Sequence, residues 1–111
     1  MRVLTLTGLL TTIALTLPTV ALAAVDEDGA TALLKSSGCV ACHKVDAKGM
    51  GPSFKDVAGK YKGKGDAVDT LSKYVTSGPT VKIGSKEQKH PAVKSNDEAA
   101  IKNMAAYILS R

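Results

Sequence analysis

Apolar side chains recur three and four positions apart through much of this chain, the spacing that lines one face of an α-helix. Ala30, Leu33 and Leu34 make the first stripe and predict a helix over Asp28–Ser37, with acidic residues at its positive end and Gly38 suited to its C-terminal cap. Phe54, Val57, Ala58 and Tyr61 predict a second, short helix capped by Ser53 and broken by Gly63 and Gly65. Asp66 opens a third, whose Ala67, Val68, Leu71, Tyr74 and Val75 form a helical stripe ended by Gly78-Pro79. The last helix has the clearest pattern. Ser95 with Glu98 three later reads as a capping box, Asn96 and Asp97 fill the first turn, and Ala100, Ile101, Met104, Ala105, Ile108 and Leu109 continue the apolar face.

Two stretches lack that period. Gly49-Met50-Gly51-Pro52 is a loop that cannot be regular helix. Thr80–Lys94 reads as an irregular connection, and a loop this long in a small domain usually has a job. With almost no strand signal, no repeat and no domain boundary, the pattern predicts one small all-α domain.

The first 23 residues differ in kind. Arg2 followed by an uncharged apolar run to Leu22, with Ala21-Leu22-Ala23 before an acidic segment, has the form of a secretory signal cleaved near Ala23. The run is also roughly long enough for a membrane anchor, but its threonines, Pro18 and small residues favour cleavage. Residues 24–111 then form the working domain, about 88 residues, few for an unaided hydrophobic core. Phe54, Tyr61, Tyr74 and Tyr107 are its entire aromatic complement, and there is no Trp.

Between the first and second helices stands Cys39-Val40-Ala41-Cys42-His43. A CxxCH run supplies two thiols that can add across the two vinyl groups of a haem, followed by an imidazole placed to bind the iron. A structural zinc site would need two more ligands, and only His90 is left to offer one. A redox-active dithiol would need a βαβ setting, and a disulfide across so short a loop would stabilise little. Haem attachment is the reading that fits, and export agrees with it. The macrocycle would also supply apolar mass that the side chains lack.

Fifteen Lys and Arg against ten Asp and Glu give a net charge of +5, or about +4 once Arg2 is lost. Lys44, Lys48, Lys55, Lys60, Lys62 and Lys64 follow the motif with only Asp46 and Asp56 among them. They read either as solvated surface or as a positive rim steering an acidic redox partner. Nucleic acid is not expected, because beyond residue 23 the only Arg is Arg111.

The first helix leading into Gly38-Cys39-Val40-Ala41-Cys42-His43, the Gly51-Pro52 turn with Phe54-Lys55-Asp56-Val57-Ala58 after it, and the final helix opened by Asn96-Asp97-Glu98-Ala99 resemble the small bacterial class I c-type cytochromes. The resemblance covers residues 24–111 and implies four or so helices wrapped around one covalently attached haem c, with the first and last helices crossing. It implies attachment through Cys39 and Cys42, His43 as the proximal iron ligand, and a Pro52 carbonyl that accepts a hydrogen bond from the His43 ring.

The departure is at the second ligand. The family places a Met followed by Pro in the loop before the last helix; this chain has His90-Pro91 there and no Met between Met50 and Met104. His90 is the expected sixth ligand, against an exposed loop histidine or ligation by Lys89. The expected function is a periplasmic, monomeric one-electron carrier without a stable membrane anchor, not an enzyme, serving redox partner proteins. The alternative is a haem protein with an open or displaceable sixth site that binds small ligands or acts like a peroxidase.

Overall fold

The computed structural model describes residues 24–111, so the expected export signal lies outside the described residues. Among the described residues, four α-helices and one β-hairpin follow in order: α1 (Glu27–Ser36), α2 (Phe54–Tyr61), α3 (Ala67–Ser77), β1 (Thr80–Ile83), β2 (Lys86–Lys89) and α4 (Glu98–Leu109), with a single 3₁₀ turn at Cys39–Ala41. Helices α1, α2 and α3 all pack on α4, and the α1–α4 contact is the most extensive of these. Small buried side chains, Ala30 and Ala105, suit a closely packed helix pair. Leu34 and Met104 are the largest fully buried side chains, and burial of that kind stabilises by about 1.5–3 kcal/mol each.

Asp26, Glu27, Asn103 and Arg111 tie the first and last helices together. Asp26 donates its backbone N–H to Asn103 Oδ1 at 2.9 Å and accepts from Asn103 Nδ2 at 2.8 Å. Arg111 pairs with Glu27 at 3.1 Å while its guanidinium lies over the buried Tyr107 ring. Helix α1 starts one residue earlier than expected because the Asp26 side chain caps it through Gly29 N–H. Gly38 follows its end in the left-handed region, at φ 76°. Ser53 caps α2 as expected, accepting from Asp56 N–H at 3.0 Å.

Two expectations need correction. Helix α4 begins at Glu98, not in the turn opened by Ser95: the Asp97 carboxylate takes the cap, accepting from the N–H groups of Ala99 and Ala100, while Ser95 Oγ accepts from Asp97 N–H. The stretch over Thr80–Lys94 is not wholly irregular, since its first part is an antiparallel hairpin pairing Thr80 with Lys89 through Ile83 with Lys86. Gly84, at φ 61°, starts the two-residue turn, as type II′ geometry requires. Tyr74 keeps its place in the α3 stripe and is 40% exposed, while Leu71 and Val75 are buried.

Candidate functional site

A cavity of about 420 Å³ opens inside the helical bundle, within the roughly 300–1,000 Å³ of cofactor-sized pockets. Leu34, Phe54, Leu71, Val75, Met104 and Ile108, all members of the buried core, line it. The centre of this core is therefore an apolar void shaped by side chains from all four helices. Cys39, Cys42, His43, Pro52 and His90 also line it, so the fold brings every sequence-predicted site residue to one place.

The proximal wall is built from the motif and the loop after it. Gly38 turns the chain out of α1, and the 3₁₀ turn closes with His43 N–H on Cys39 O at 3.0 Å. Both cysteines have intermediate exposure at the cavity wall, and burial pushes the Cys39 thiol up from its ordinary value. His43 is held on three sides. Its ring stacks on Phe54 with centroids 5.7 Å apart, Gly51 lies so close that a Cβ there would collide with it, and its Nδ1 is 2.7 Å from Pro52 O. A carbonyl only accepts, so Nδ1 carries the proton and Nε2 presents its lone pair.

The distal wall comes from the hairpin and the end of α3. His90 directly follows β2, and its N–H donates to Pro79 O at 2.8 Å, closing the hairpin at its base. Its Nδ1–H donates to Pro91 O at 2.8 Å, which again leaves Nε2 free. The segment beyond is pinned by Val93 N–H to Val75 O at 2.9 Å and by Lys94 N–H to the buried Ser37 Oγ at 3.0 Å. Ser37 adjoins the haem motif in sequence, so one hydroxyl ties both walls.

The His43 and His90 ring centroids stand 6.0 Å apart. Two imidazoles bonding one metal ion from opposite faces through bonds of about 2 Å would place their centroids about 6 Å apart. That spacing, the apolar cavity and the two thiols at its wall fit a haem in size, ligand type and attachment chemistry.

Two features escaped the sequence reading. Lys60, Lys82 and Lys89 line the cavity, and Lys48 joins Lys60 and Lys82 around an adjoining open groove, whereas Lys55 lines neither. The hairpin thus brings two lysines that the charge run after the motif did not indicate. Its signal was the Gly84-Ser85 pair after alternating Val81 and Ile83. Tyr74, read only as part of the α3 stripe, also lines the cavity, with its ring centroid 5.8 Å from that of His90.

The site has counterparts among known proteins. Cytochrome c-552 of Hydrogenobacter thermophilus is 41% identical over 78 residues, covering 70% of this chain and 76% of the relative. Cytochrome c-551 of Pseudomonas aeruginosa is 39% identical over 79 residues, 71% of this chain and 73% of the relative. The crystal structure of the class 1 cytochrome MtoD from Sideroxydans lithotrophicus superposes with a TM-score of 0.74 at 44% identity, covering 78% of this chain and 97% of that one. Wild-type cytochrome c552 of Nitrosomonas europaea gives a TM-score of 0.60 at 34% identity, covering 72% and 96%. Matched by the Cytochrome c family over residues 27–111, and with these relatives, the chain belongs to the cytochrome c family as a small class I member, an electron carrier and not an enzyme.

Proposed function

We propose that this cytochrome is a periplasmic one-electron shuttle whose single haem c is held through Cys39 and Cys42 and ligated by His43 and His90. The observation that carries the ligand set is the pair of imidazoles with ring centroids 6.0 Å apart, each with Nδ1 on a proline carbonyl and Nε2 free. When bound, the haem supplies a one-electron iron couple. Everything else is the work of the chain. Pro52 and Pro91 fix the tautomers of the two imidazoles, Phe54 and Gly51 hold the proximal ring in place, and apolar side chains line the space between the two walls. Residues 1–23 are assigned to export, and among the described residues no helix is long and apolar enough to cross a membrane.

Neutral imidazole is a stronger donor than the thioether of Met and favours ferric iron, so this carrier is expected at a lower potential than relatives with a Met ligand. His90→Met should raise the potential and create the weak near-infrared sulfur-to-iron band. His90→Ala should open the iron to carbon monoxide or cyanide. Optical and paramagnetic resonance spectra of both oxidation states decide the matter: a wild-type protein that already shows the sulfur band, or that binds carbon monoxide readily, would remove His90 from the ligand set.

A further inference from the structure

We propose that Tyr74 is a positioning residue for the distal ligand, its ring setting the plane in which the His90 imidazole faces His43; this rests on the two-histidine reading. The rings of Tyr74 and His90 lie 5.8 Å apart at an interplanar angle of 60°, within the tilted, edge-to-face range that aromatic pairs favour. Tyr74 lines the same cavity as His90 and reaches it from the last turns of α3. His90 is otherwise held by two hydrogen bonds, from its N–H to Pro79 O and from its Nδ1–H to Pro91 O. A single bond to the adjacent loop residue leaves the ring free to rock about it. The Tyr74 ring, carried on a helix, limits that motion.

The helix end that carries Tyr74 also grips the segment around His90. Val75 O accepts from Val93 N–H, and Gly78 sits so close that a Cβ would come within 3.3 Å of His90 O. The 46° between the His43 and His90 rings is therefore referred to α3. The relative orientation of two axial imidazoles governs the splitting of the iron orbitals and hence the ferric resonance. The phenol hydroxyl has no part in this, so Phe is the conservative variant.

The test uses the haem-loaded protein with Tyr74→Phe, Tyr74→Leu and Tyr74→Ala. Tyr74→Phe should keep the wild-type g values. The Leu and Ala variants should shift or broaden them and speed displacement of His90 by carbon monoxide in the ferrous protein about two- to tenfold, the ordinary worth of an aromatic contact. Unchanged g values and displacement rates in the Leu and Ala variants would overturn the role of Tyr74 alone. A wild-type spectrum without a two-imidazole signature would overturn the ligand assignment and this inference together.

Discussion

Gly51 has no room for a side chain. A Cβ there would lie 2.8 Å from Nδ1 and 2.9 Å from Nε2 of His43. It is not among the glycines with positive φ, so space and not backbone conformation makes the demand. Gly51→Ala must push the imidazole off the Pro52 carbonyl, with an overpacking cost of roughly 1–3 kcal/mol. Ferric spectra of this variant should show loss of the pure low-spin form, and its denaturant midpoint should fall. Gly59→Ala is the control. Within α2, with nothing near its missing Cβ, it should gain up to about 1 kcal/mol and leave the spectrum unchanged.

At the scale of elements, the clasp between the start of α1 and the middle of α4 is the feature to test. Asn103→Ala removes both hydrogen bonds to the Asp26 backbone, at about 0.5–1.5 kcal/mol each. Thermal melting of the haem-loaded protein should fall by about 4–8 °C per kcal/mol lost. Glu27→Gln, which breaks the pair with Arg111 on a largely exposed carboxylate, should cost less than about 1 kcal/mol. The four helices and the motif were legible in the sequence because each is a local signal: a stripe, a cap, a run of five residues. The start of α4 was not, because Ser95 and Asp97 are both good caps and only the folded geometry decides between them. The hairpin was harder still. All four residues of β2 are exposed, so half of the ladder carries no alternation to read. Tyr74 kept its helical spacing but lies beside the cavity, a feature that periodicity does not encode.

For the whole molecule, the cavity shows why the thin aromatic complement suffices: six core side chains pack towards a central space and not only towards one another. The charge around that space has a functional consequence. If an acidic partner docks over Lys60, Lys82 and Lys89, electron exchange should slow steeply as salt rises, since exposed charges are screened over about 10 Å at 0.1 M ionic strength. Reversing these three to Glu should lower the second-order rate by about tenfold or more through slower encounter. Lys55→Glu, away from the cavity, should change it little. Stopped-flow exchange with an acidic redox protein across a salt series checks this, and equal effects from both sets of reversals would return the lysines to ordinary solvated surface.

The hairpin is closed at its base by His90 N–H on Pro79 O and turns at its far end through Gly84 and Ser85. Chain length can therefore vary at the tip without disturbing the base. One residue added to each strand lengthens the arm by about 3.4 Å and leaves His90 where it is. A single residue added at the tip enlarges the two-residue turn to three and leaves the strand pairing intact, whereas one added within a strand forces a bulge or a slipped register. Insertions at the tip should therefore be tolerated whatever their number, and those within β1 or β2 only in matched pairs, one residue in each strand.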